Sequence, residues 1–181
     1  MDIRYTTFGD VIAQSYMKYL MDDFIKCQSQ NSNILCEKVC SYLYDPLIKY
    51  NLKTTIDDFY LFGILSFYVT AKKSINYSDY KHYFLITSKL LENLYTTDFI
   101  YLYYYTSCQV YLENYNVALE LARIINNFPF YDNLKEDQKE KLKLAKINNY
   151  SILAYLYNKK NLPNLSKEFL KLHEKFTQKQ K

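Results

Sequence analysis

Residues 112–129 read Leu-Glu-Asn-Tyr-Asn-Val-Ala-Leu-Glu-Leu-Ala-Arg-Ile-Ile-Asn-Asn-Phe-Pro. One helix is expected to end near Asn114. A second restarts at Asn116, carries Ala118 and Ala122 one turn apart, and is stopped by Pro129. Small residues at that spacing predict two antiparallel helices packed so closely that only alanine fits between them. The rest of the chain obeys the same constraint, because its 181 residues include only 2 glycines and 3 prolines. Sheets and long loops need those residues at their turns. Their scarcity predicts an all-α protein of hairpins with short connections.

Apolar residues recur at helical spacing along nearly the whole sequence. The pattern predicts eight helices, at about 7–27, 34–50, 54–73, 79–95, 99–113, 116–128, 134–159 and 164–177. Three breaks have specific causes. Pro46 removes a backbone donor and should bend the second helix. Thr54-Thr55 ahead of Asp57 and Asp58, and Thr96-Thr97-Asp98 ahead of the fifth helix, read as N-terminal caps. The turns at 74–78, 114–116 and 160–164 recur loosely, which predicts hairpins stacked as an α-solenoid in a single domain. Within it, 1–95 forms divergent hairpins, 96–177 the more regular ones, and 178–181 a frayed basic tail.

The net charge of +4 is unevenly placed, about −3 over residues 1–133 and about +7 over 134–181. Lys135, Lys139, Lys143 and Lys146 fall on one stripe of the seventh helix, a candidate surface for an acidic partner or nucleic acid. Specific phosphate recognition leans on arginine forks, and Arg4 and Arg123 are the only arginines. The apolar runs 59–71 and 99–112 are too short for a membrane span, which needs about 20 residues, and they read as buried core. The N-terminal residues lack an early apolar run, so the expectation is a cytoplasmic chain, the nucleus remaining open. In that setting Cys27, Cys36, Cys40 and Cys108 are expected as buried, reduced thiols rather than zinc ligands, since tight paired spacings are missing. Asn76-Tyr77-Ser78, Asn149-Tyr150-Ser151 and Asn164-Leu165-Ser166 match the glycosylation pattern, as chance produces in an Asn-rich chain. The 22 tyrosines accompany a general preference for amino acids with AT-rich codons.

Tyr115, Ala118, Ala122 and the following proline resemble a tetratricopeptide repeat, with Tyr105 and Thr106 where the family packs Leu and Gly on its first helix. Residues 149–172 resemble a second copy, with Ala154 and Ser166 as the small residues. The resemblance implies a stack of hairpins whose first helices line a concave, protein-binding groove. In that register the partner-binding candidates are Tyr103, Ser107 and Tyr111 from the fifth helix, and Asn148, Ser151, Tyr155 and Lys159 from the seventh. Leu142-Lys143-Leu144-Ala145 ahead of Asn149 is also similar to the extended helix of immunophilin-type co-chaperones. There an asparagine grips a peptide's terminal carboxylate. The family's Lys and Asn on the preceding repeat are replaced here by Tyr103 and Ser107, which departs from that clamp.

Enzymatic chemistry has little to stand on. Gly9 and Gly63 cannot form a phosphate-cradling loop. His82 and His173 have no nucleophile in a recognisable setting. Asp22-Asp23 and Asp57-Asp58 diverge by about 100° on a helix and do not share a proton. The reading is a non-catalytic protein-interaction module or scaffold subunit of a larger assembly, with no cofactor or metal. A nucleic-acid-associated factor using the lysine stripe is the alternative.

Overall fold

In the computed structural model, residues 8–30, 32–49, 57–74, 76–128 and 135–178 are described. Among them all regular structure is helical: α1 (Phe8–Gln30), α2 (Asn33–Tyr44), α3 (Asp57–Lys73), α4 (Tyr77–Leu91), α5 (Phe99–Tyr111), α6 (Tyr115–Asn127), α7 (Glu136–Lys159) and α8 (Pro163–Gln178). The all-α expectation and the helix count hold. The Thr54-Thr55 cap, the 129–133 break and residues 179–181 of the tail lie outside the described residues. The chain divides into two compact units, residues 1–87 and 88–181.

In the first unit, α1, α2 and α3 pack in sequence around Leu20, Phe24, Val39, Leu43, Ile64 and Phe67. Ser32 starts α2 by accepting a hydrogen bond from the Leu35 amide at 3.4 Å. The bend expected at Pro46 is a single π-helical turn, Asp45–Lys49, in which the ladder reopens around the missing donor. That turn directs the Leu47 side chain onto Gly63 of α3, where a β-carbon would require the Leu47 side chain to shift. α3 meets α4 through paired rings, Phe67 with Tyr83 and Tyr68 with Phe84. Ser66, Thr70 and Thr87, all buried, donate to carbonyls one turn earlier, so their burial leaves no hydroxyl unsatisfied.

The expectation of four reduced cysteines is corrected here. Cys27 and Cys36 are joined as a disulfide with Cα atoms 5.6 Å apart, while Cys40 and Cys108 are free and buried. α1 continues past Cys27 to Gln30, and the chain reverses at Ser32. This lays the first turn of α2 beside the last turns of α1, a relation the sequence reading missed by ending α1 at Cys27.

In the second unit, α5, α6, α7 and α8 follow one another, each packed on the next, and α5 also meets α7. Asp98 caps α5 through its carboxylate, which accepts the Ile100 amide at 2.7 Å. The two hairpin turns of this unit are built alike. Glu113 and Asn161 have positive φ, 64° and 57°. Asn114 N–H donates to the Gln109 carbonyl and Leu162 N–H to that of Tyr157, both at 2.9 Å. These are the six-to-one bonds of a Schellman helix end, repeated 48 residues apart. At the same offset, buried Ala118 on α6 matches buried Ser166 on α8.

The alanines leave room for a neighbour, and α7 as well as α5 packs there. Ala118 and Ala122 are fully buried with Leu119, Leu153, Leu156 and Tyr157, and Val110 of α5 lies at the margin. α7 comes close enough for the Asn149 amide to donate to the backbone carbonyl of Ala122 at 2.7 Å. A helix carbonyl is reached in this way only where the intervening side chains are no larger than a methyl group.

Candidate functional site

α5 carries no charged residue and is built from Phe, Ile, Leu, Val and five tyrosines, with Thr, Ser, Cys and Gln. Its inner face supplies Phe99, Leu102, Thr106 and Cys108 to the core. Its remaining surface turns Ile100, Tyr103 and Tyr104 toward α7. Against them α7 places Lys141, Leu144, Ala145 and Asn148, spaced at three and four residues along one face. Together these residues line a cleft of about 180 Å³. Its floor is apolar and its edges are phenolic, with the Lys141 ammonium at the rim, 3.9 Å from Asp137.

Tyr103 organises the cleft. Burial pushes its phenol above the usual tyrosine range, and hydrogen bonds with Ser107 and Asn148 pull it partly back. Three of the residues expected to act together are therefore joined, though not as three exposed contacts. Ser107 is buried, one turn after Tyr103 on α5. Asn148 is half-buried on α7. Tyr111, also half-buried, has its phenol raised by burial, as does Tyr104.

The other candidates form a second cluster further along α7. Tyr155 is exposed and meets Tyr115, the first residue of α6, with ring centroids 6.0 Å apart. The Lys159 ammonium lies 5.7 Å from the Tyr115 centroid and 5.4 Å from that of Tyr155. Two faces of one cation are thus met by aromatic rings. Ser151, exposed between the clusters, turns its hydroxyl back to the Asn148 carbonyl at 2.7 Å. Ile100, Tyr104, Lys141, Leu144 and Tyr115 were not among the candidates. Stepping back from Asn148 by four and by seven residues reaches Leu144 and Lys141, so the helical period that selected Tyr155 contained that signal.

The lysine stripe is not a uniform cationic surface. Lys146 turns inward, and its ammonium donates to the Asn126 and Phe128 carbonyls at the C-terminal end of α6. Burial lowers its pKa. Lys139 pairs with Glu136 at 2.9 Å, and Lys143 shares a shallow depression with Glu136, Asp137 and Glu140. The Lys135 backbone N–H donates to Gln138 at 3.1 Å and opens α7.

Asn149 does not face the cleft. It is wholly buried, its amide group is committed to Ala122, and its Oδ1 has no partner among the described residues. A peptide carboxylate gripped at that residue would have to enter the core of the unit. Among the described residues no group of three or more His, Cys, Asp or Glu side chains could hold a metal ion. No described helix is long and apolar enough to cross a membrane. No family profile matches the chain, and neither a curated protein nor a solved structure is significantly similar to it.

Proposed function

We propose that this chain is a non-catalytic protein-interaction module, a subunit or adaptor of a larger assembly, that binds its partner across the α5–α7 face of the second unit. The observation that carries this reading is the cleft itself. An uncharged, tyrosine-rich helix faces an apolar floor, and its central residue Tyr103 is largely desolvated, with Ser107 and Asn148 close to its hydroxyl. Tyrosine offers a large apolar body and one hydrogen-bonding group while freezing only two torsions, which lowers the ordering cost of association. A repeated hairpin with the same turn geometry supports a tetratricopeptide-like use of these helices. The lysine stripe supports nucleic-acid binding less well, because Lys146 is spent on α6 and Lys139 on Glu136.

Affinity recovery from native lysate with variant baits tests the proposal. Tyr104→Ala and Leu144→Asp should abolish partner recovery, Tyr155→Ala should weaken it, and Lys135→Gln with Lys143→Gln should leave it intact. If the lysine pair abolishes recovery, and raising salt does the same steeply, the nucleic-acid reading replaces this one.

A further inference from the structure

Cys27 and Cys36 occupy the point where α1, α2 and α3 meet. The Cys27 carbonyl accepts the Ser32 amide at 3.2 Å and the Lys73 ammonium of α3 at 3.4 Å. α1 is the outer helix there. It packs mainly on α2 and touches α3 at few points, Phe24 against Phe62 being one. Its attachment also uses the nearly buried Asp23 carboxylate, which meets Lys38 of α2 at 3.3 Å. A covalent link between Cys27 and Cys36 therefore decides how firmly α1 is held, and it closes a loop spanning only 9 residue steps.

We propose that this pair is a reversible thiol–disulfide clamp that fastens α1 onto α2 and releases it on reduction. Closure oxidises the two thiols. They lose two protons and two electrons to a low-molecular-weight disulfide such as glutathione disulfide, giving one S–S bond and two glutathione thiols. Reduction by two glutathione molecules runs the same exchange backward. Both sulfurs are buried, so the reductant gains access only when the end of the hairpin, with its exposed Gln28–Gln30 segment, opens.

A third cysteine one turn after Cys36 would ordinarily scramble such a pair. Cys40 is prevented from doing so. It lies buried, 3.1 Å from the Thr70 hydroxyl of α3, and burial pushes its thiol up to about 12, so almost no thiolate forms at neutral pH. The exchange is thus confined to Cys27 and Cys36. Release of α1 would uncover the apolar faces bearing Leu20 and Phe24 on one side and Val39 and Leu43 on the other.

The full chain is incubated with glutathione disulfide or with excess glutathione. It is then denatured, alkylated with iodoacetamide and weighed, with hydrogen exchange of α1 followed in parallel. The clamp predicts two alkyl groups after oxidation and four after reduction. Closing so short a loop disfavours opening by about a hundredfold in the chain-entropy account, so α1 amides should exchange about a hundredfold faster in the reduced chain. Cys40→Ser should respond like the parent, and Cys27→Ser or Cys36→Ser should exchange alike under both conditions. Four alkyl groups after oxidation, a persistent glutathione adduct, or α1 exchange indifferent to redox state would each overturn the proposal. The comparison on the unsubstituted chain stands even if a variant fails to fold.

Discussion

Replacing Ala122 with leucine tests the packing of the second unit at its tightest point. Ala122 is fully buried among Leu153, Leu156 and Tyr157, and its carbonyl receives the Asn149 amide at 2.7 Å. Three added carbons have no space there and must push α7 away from α6, at a typical cost of about 1–3 kcal/mol. The same displacement stretches the Asn149 hydrogen bond and strands a buried amide whose Oδ1 already has no partner among the described residues, a further loss of about 1–3 kcal/mol. The two costs share one movement, so about 3 kcal/mol in total is expected. For a chain of this size that lowers Tm by roughly 6–12 °C. Leucine is a good helix former, so propensity cannot account for such a loss. Ile124→Leu on the exposed side of α6 serves as the control and should stay within about 0.5 kcal/mol. Calorimetry on the three proteins, with circular dichroism to confirm helicity, gives the result. A double cycle with Asn149→Ala should show coupling of at least about 0.5 kcal/mol. An Ala122→Leu protein that melts within a degree of the parent would refute the close α6–α7 approach.

Glu113→Gly should stabilise the chain by about 0.5–1 kcal/mol in urea melts, because the steric cost of the β-carbon at positive φ disappears. Asn161→Gly should gain less, since asparagine tolerates that conformation better. Lys146→Met removes the cation that satisfies the Asn126 and Phe128 carbonyls and should cost about 1 kcal/mol. The same loss should be seen at high and low salt if Lys146 acts as a cap. Alkaline melts carry a definite sign. Tyr103, Tyr104 and Tyr111 have folded-state values raised above the ordinary value of 10.0, so the unfolded chain releases their protons first. Their contribution is fully present below that value and declines as pH rises above it. Tyr103→Phe should flatten that decline in a melting series from about pH 8 upward, compared with the parent so that the lysines titrating in the same range are common to both.

The helices were legible because their punctuation is local. Asp98 at the start of α5, Pro163 as the first residue of α8, and the stop after Asn127 each act through one or two neighbouring backbone groups. What escaped the sequence was the partner of each face. Ala118 and Ala122 announced a close neighbour without saying that α7 is one, its Asn149 lying 27 residues beyond Ala122. Ser107 was expected as a groove contact, yet it is buried. Lys146 looked like one member of a charged stripe because spacing records direction along a helix and not what the next helix offers. The Cys27–Cys36 link depended on α1 running three residues past its expected end, an error within the usual uncertainty of helix boundaries.

The central claim is that partners dock on the α5–α7 face, and site-directed photocrosslinking measures this most directly. A benzophenone amino acid is introduced at Tyr104, at the edge of the cleft, and in a separate protein at Glu120, on the exposed side of α6. Irradiation in native lysate should yield one discrete crosslinked species from position 104, lost on adding Leu144→Asp, and none from position 120. Equal crosslinking from both positions, or a species from 104 that survives Leu144→Asp, would contradict the account.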